Sequence, residues 1–196
     1  MSLAERERWD RFFSEQTEAP FPAPDPLLLQ YTPPTGSAGK RAIDLACGRG
    51  QNGLWLAEQG YRADLLDISR AALTQARAEA GRRGLRTLNF LLTDLDQPAI
   101  EPESTDLIAV FRFLKRPLFP VLRAALVPGG RIIYATFHTG YLQVQPSFNP
   151  VFLLEPGELE AQFADWRVLR AVEDEQMSQV VAIKPTGDKA GQAANV

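Results

Sequence analysis

The stretch Ala42-Ile43-Asp44-Leu45-Ala46-Cys47-Gly48-Arg49-Gly50-Gln51-Asn52-Gly53 decides how the rest of the chain is read. A short apolar run carries one embedded acid, Asp44, and gives way to closely spaced glycines just before an amphipathic segment begins. That order is the anatomy of a nucleotide-binding strand, turn and helix. Glycine at 48 and 50 permits a tight turn and lets a bulky ligand approach the backbone, because no Cβ stands in the way.

Outward from this stretch, strand and helix signals alternate, which is the pattern of a parallel sheet covered on both faces. Strands are predicted at Arg41–Ala46, Ala63–Leu66, Leu88–Leu92, Asp106–Phe111 and Arg131–Phe137. Helices fit Gln51–Gln59, the segment between a Ser69 cap and a Gly84 terminator, and Pro117–Leu126. Pro128-Gly129-Gly130 reads as a turn, Thr139–Leu154 as a long loop, and Pro156 as the start of a short helix. Trp166–Val172 and Gln179–Lys184 read as a closing pair of strands.

Before the first strand, Leu3–Gln16 has helical spacing with Trp9, Phe12 and Phe13 on one face. Such a face either docks the helix onto the domain or makes it a lid over a ligand. Thr17–Pro34 is rich in proline and reads as an arm on the surface, with one short regular piece at Leu27–Tyr31. The expected organisation is therefore a helix and arm over 1–39, one α/β domain over 40–185 and a frayed tail over 186–196.

A chain of 196 residues suits one well-packed domain, and 45% hydrophobic with 23% charged residues is the ordinary globular range. The formal charge of −3 offers no general attraction to nucleic-acid phosphate or an anionic membrane, so neither is expected as a partner. Cys47 is the only cysteine, which excludes an internal disulfide and a cysteine-based metal cage; no metal is expected. A charged N-terminus without an apolar signal core, and no run near the roughly 18 apolar residues of a membrane span, point to a cytoplasmic protein; a monomer or homodimer is expected.

Gly48-x-Gly50-x-x-Gly53 matches the spacing of a dinucleotide fingerprint, so a nicotinamide-dependent oxidoreductase enters as one reading. Asp44 argues against it. A carboxylate inside the first strand needs a compelling partner, and a pyrophosphate of the same charge is a poor one. A ligand with a cationic end supplies what that acid lacks.

Asp44-Leu45-Ala46-Cys47-Gly48-Arg49-Gly50, Leu66-Asp67-Ile68-Ser69 and Leu126-Val127-Pro128-Gly129-Gly130-Arg131, in this order and spacing, resemble the class I S-adenosylmethionine-dependent methyltransferases. The resemblance covers roughly 40–137, and it departs at Ala46, where the family usually has the first glycine of its loop. It implies an α/β fold: a Rossmann-like, seven-stranded, mostly parallel sheet with helices on both faces and a C-terminal antiparallel strand pair. It also implies S-adenosyl-L-methionine as the cofactor, with Ala46, Cys47, Gly48 and Gly50 beneath its methionine part and Asp44 toward its amino group. On the same basis Asp67 meets the ribose hydroxyls, Asp94 the adenine amino group, and Ile68 and Leu95 the two faces of the ring. Phe111 would stand beside the cofactor with its backbone. A weaker similarity, carried by 111–114 and 148–158, is to compact methyltransferases of the tellurite-resistance and thiol-methylating groups.

In an open α/β sheet the ligand crevice lies outside the carboxyl ends of the strands. Arg112, Phe113, Lys115 and Arg116 follow the fourth strand, and His138 and Tyr141 follow the fifth. His138 is the only histidine, and its ordinary pKa lies near neutrality, which makes it the candidate base. With Arg112 and Tyr141 it completes the expected catalytic set. Phe113, Lys115, Arg116, Trp9 and Phe13 are the expected acceptor-binding set, for a small molecule such as a thiol or a metalloid oxyanion. A cofactor-binding sensor or partner protein without catalysis is the alternative of a different class.

Overall fold

The computed structural model of the chain describes residues 3–16, 20–36, 39–96 and 98–186. The elements run α1 (Leu3–Ser14), α2 (Pro26–Tyr31), β1 (Lys40–Leu45), α3 (Gln51–Glu58), β2 (Tyr61–Asp67), α4 (Arg70–Arg82) and β3 (Leu88–Leu92). They continue as β4 (Thr105–Phe111), α5 (Phe119–Ala125), β5 (Leu126–Phe137), α6 (Glu158–Ala161), β6 (Arg167–Glu173) and β7 (Met177–Ile183).

Strand parity builds the two layers of core. Ile43, Leu45, Ile108, Val110 and Ile132 point to one face, where Phe119 and Leu122 of α5 and Leu159 of α6 cover them. Ala42, Ala63, Leu65, Leu107, Ala109 and Ile133 point to the other, against Leu54 and Leu56 of α3 and Leu73 and Ala76 of α4. A central strand has strands on both sides and helices over both faces, so apart from Asp44 its buried side chains meet apolar partners above and below. This is why β1, β4 and β5 read as continuous apolar runs.

The seven strands are ordered β3-β2-β1-β4-β5-β7-β6. The first five are parallel, and β7 runs antiparallel between β5 and β6. The order reverses at β1, whose chain leads left to β2 while β4 lies to its right. At that switch point the carboxyl ends of β1, β2 and β4 open a crevice.

Three local readings change. Pro128-Gly129-Gly130 does not end a helix-to-strand turn. It lies within β5, where Leu126 pairs with Thr105 and Arg131 with Leu107, so five steps on one strand answer two on the other. Gly129, at φ 79°, makes this bulge possible, and its amide bonds the Lys184 carbonyl at 2.9 Å. The long loop after β5 also carries local helical structure, since Thr139–Gln143 and Pro150–Phe152 are short 3₁₀ helices. The proline-rich arm is not wholly superficial either: Leu27 and Leu28 of α2 are buried in the core, with Asp25 capping that helix through the Leu27 amide. The expected tail beyond Thr186 lies outside the described residues. No described helix is long and apolar enough to cross a membrane.

Candidate functional site

Parity also sets the first carboxylate. Asp44 shares a face with Ala42 and so points toward α3, where its Oδ2 accepts the Gly53 amide at 2.8 Å. Gly50 occupies the cap position of α3 and has no side chain to cap with. Asp44 does that work from the neighbouring strand, close to the positive end of the helix. A Cβ at Gly53 would lie 2.6 Å from Leu65 and 3.1 Å from Asp44 Oδ2, so glycine there is what brings helix and carboxylate together. The acid is 1% exposed, and burial pushes its pKa up to about 7 against the opposing pull of the Gly53 amide, with the charge of Asp67 adding to the rise.

The loop between β1 and α3 turns at Ala46, Gly48 and Gly50, which sit at φ 53°, 54° and 80°. The left-handed geometry at Ala46 is the reason this position favours glycine, and alanine holds it at a cost of about 1–2 kcal/mol. Cys47 is buried inside the loop, and its thiol is pushed well above the ordinary range by burial and by the two nearby carboxylates. It is a packing residue and a poor nucleophile.

Asp67 ends β2 beside this loop. Its Oδ2 accepts the Gly48 amide and its Oδ1 the Ser69 amide, each at 2.8 Å. Burial raises its pKa despite those two bonds. Each carboxylate oxygen can accept more than one hydrogen bond, so valence remains toward the crevice.

Both acids line a cavity of about 460 Å³, within the usual size range of small-molecule sites. It is lined by Ala46, Cys47 and Gly48 of the loop, by Ile68 and Leu95, by Phe111, Arg112 and Phe113 at and after the end of β4, and by Trp9, Phe12 and Phe13 of α1. Phe12, Gln16, Arg49, Gln51 and Asn52 line it too and were not expected. The helical spacing marked Phe12 as part of the aromatic face, whereas nothing local marks Gln16 or Asn52. The lining fits a ligand with a cationic end and vicinal hydroxyls: two buried acceptors, a loop of small residues and aromatic side chains around them.

Other expected site residues lie elsewhere. His138 is 93% buried at the end of β5, with Nδ1 accepting the Gly140 amide at 3.0 Å and Nε2 donating to the Asp174 carbonyl at 2.9 Å. Both ring nitrogens are spent on backbone, and the residue does not line the cavity, so it is a corner brace rather than a base. Tyr141 stacks on Phe137 with centroids 4.2 Å apart and is likewise outside the cavity. Arg116 grips Glu158 with two bonds of 2.6 and 2.7 Å and also donates to the Val151 and Leu153 carbonyls, which fastens the loop before α6. Lys115 pairs with Asp96. Asp94 accepts the Asp96 amide at 2.8 Å in a tight turn and is not among the cavity's lining residues. Of the cationic trio only Arg112 reaches the cavity, held loosely at 3.4 Å by Asp25 of the arm.

Residues 42–130 match the family described as "Methyltransferase domain". Aklanonic acid methyltransferase DauC of Streptomyces sp. (strain C5) is 31% identical over 140 residues, covering 66% of this chain and 63% of that protein. Ubiquinone biosynthesis O-methyltransferase of Aliivibrio fischeri (strain MJ11) is 30% identical over 122 residues, covering 58% and 52%. The chain thus spans between about half and two thirds of the length of these relatives. TehB of Haemophilus influenzae shares the fold, with a TM-score of 0.71 at 18% identity over 90% of this chain and 67% of that one. The matched segment and the strand order make this chain similar to the S-adenosylmethionine-dependent methyltransferases, whose fold it shares.

Proposed function

We propose that the chain is a methyltransferase for a small acceptor that reaches the site already nucleophilic, a thiolate or a reduced metalloid oxyanion. One observation carries this reading. Among the described residues lining the cavity the titratable groups are Asp44, Cys47, Arg49, Asp67 and Arg112, and none is a free base aimed at an acceptor. Asp44 and Asp67 are engaged with backbone amides beneath the cofactor side of the cavity, and the Cys47 thiol is held protonated. An acceptor that had to lose a proton in the transition state would find no group to take it.

Bound S-adenosylmethionine supplies an electrophilic methyl group on a sulfonium. For it, Asp67 would hold the ribose hydroxyls with its remaining lone pairs, the loop Ala46–Gly50 would back the methionine part, and Asp44 would offset the ammonium charge. Ile68 and Leu95 would flank the adenine, with the Phe111 backbone beside it. Trp9, Phe12, Phe13 and Phe113 exclude water from the acceptor side, and Arg112, about half exposed, is free to swing from Asp25 to an anion. This division of labour leaves catalysis to positioning, which in well-oriented systems accounts for roughly 7–11 kcal/mol.

The testing experiment is a thermal-shift panel with S-adenosylmethionine, S-adenosylhomocysteine and NAD, followed by a product screen over thiols, metalloid oxyanions and phenols. Stabilisation by the two sulfur ligands and turnover with thiols or metalloids is the expected result. Stabilisation by NAD alone, or turnover confined to phenols, would overturn it.

A further inference from the structure

Helix α1 is tied to the very element that presents Asp67. Asp10 Oδ1 accepts the Ser69 hydroxyl at 2.7 Å and the Ala71 amide at 3.0 Å, at the cap and in the first turn of α4. Ser69 in turn donates its amide to Asp67, and Asp67 accepts the Gly48 amide. Gly48 brings the path back to α1, because a Cβ placed there would lie only 3.2 Å from the ring of Phe13. A second tie runs from Gln75 of α4, whose side-chain amide donates to the Phe13 carbonyl at 2.6 Å. The contacts therefore form a closed circuit: Asp10, Ser69, Asp67, Gly48, Phe13 and back along one turn of helix.

We infer that Asp10 is a positioning residue for the cofactor site, coupling the docking of α1 to the placement of Asp67 and of the glycine loop. This rests on the proposed reading of the cavity as the S-adenosylmethionine site. Burial works to raise the Asp10 pKa, but the Ala71, Ser69 and Arg70 bonds and the nearby Arg6 hold it below the ordinary range, so the group is charged where α4 begins. That charge works against the charge of Asp67. The contribution of Asp10 is therefore geometric: an acceptor oxygen at one point, which an asparagine side chain also supplies. Ligand binding that favours the docked helix must, by reciprocity, be favoured by it.

The test compares wild type, Asp10→Ala and Asp10→Asn by calorimetry with S-adenosylhomocysteine and by hydrogen exchange of Leu3–Ser14 with and without it. Asp10→Ala is expected to bind about tenfold more weakly, a coupling of ordinary size, and Asp10→Asn within about threefold of wild type. Ligand-induced protection of α1 is expected in wild type and Asp10→Asn and absent in Asp10→Ala. Wild-type affinity and protection in Asp10→Ala would overturn the inference while leaving the cofactor reading intact; no binding by the wild type overturns both. Should Asp10→Ala fail to fold, Gln75→Ala cuts the second tie: lost protection of α1 supports the coupling, and wild-type protection overturns it.

Discussion

The carboxyl ends of β2 and β5 invite comparison. Each ends in a buried titratable side chain, Asp67 in one case and, one residue past the strand, His138 in the other. Each of these side chains holds two backbone groups of the loop that follows or lies beside it. The difference is residual valence. A carboxylate that accepts two amides still has lone pairs to offer, whereas an imidazole that accepts one bond and donates another has nothing left. Position at a strand's end thus nominates a residue, and unspent hydrogen-bonding capacity facing a cavity decides the nomination.

Replacing Asp67 by alanine should sharpen the contrast most. The loss of charge-assisted bonds to the ribose, together with an unpaired Gly48 amide, is expected to weaken S-adenosylmethionine binding by about 3 kcal/mol in calorimetry; unchanged affinity would remove Asp67 from the site. His138→Ala should do the reverse. It strands the Gly140 amide and the Asp174 carbonyl, so a loss of about 2 kcal/mol in urea unfolding is expected with cofactor affinity unaltered. A stable variant that cannot turn over would return His138 to the chemistry.

Asp44 gives a smaller effect with a definite sign. Its pKa in the ligand-free fold is raised from the ordinary 3.8 to about 7, so the fold favours the protonated acid. That contribution to stability is full below about pH 4 and is lost as pH climbs to 7. A cationic ligand favours the carboxylate instead. S-adenosylmethionine affinity should therefore rise about fivefold between pH 6 and 7.5, with uptake of the ligand releasing protons. Asp44→Asn should flatten both slopes, and persistence of the affinity slope in that variant would assign it to another group.

The smallest expected change is at Ala46. Glycine there relieves a left-handed alanine and should raise stability by roughly 0.5–1 kcal/mol, read as a shift of the thermal midpoint. A destabilised Ala46→Gly would mean that the alanine methyl packs usefully enough to outweigh its backbone strain.

Much of the scaffold was legible because its signals are local. The β1 loop, the Ser69 cap of α4 and the boundaries of β3 follow from a few adjacent residues, and Asp44 announced itself by being an acid in an apolar run. What escaped was set by partners far along the chain. Arg116 is a loop clasp because Glu158 stands 42 residues on, and His138 is a brace because the Asp174 carbonyl is 36 residues away. Nothing near His138 in the sequence distinguishes those two fates. Pro128-Gly129-Gly130 has turn composition and still enters a strand, since a neighbouring backbone supplies bonds to both sides of the bulge.

The reach of the N-terminal arm has a consequence for how the protein is made. Arg112 is 87 residues from its partner Asp25, and Arg131 is 100 residues from the Tyr31 carbonyl to which it donates. At translation speeds of about 5–20 residues per second, the arm waits on the order of 5–20 seconds for these partners to be synthesised. For that interval Leu27 and Leu28 lack β5, with which they share a core, whereas α4, against which α1 packs, is made sooner. The arm is thus fastened only once β4 and β5 have been made, and until then it is a stretch that folding helpers would meet.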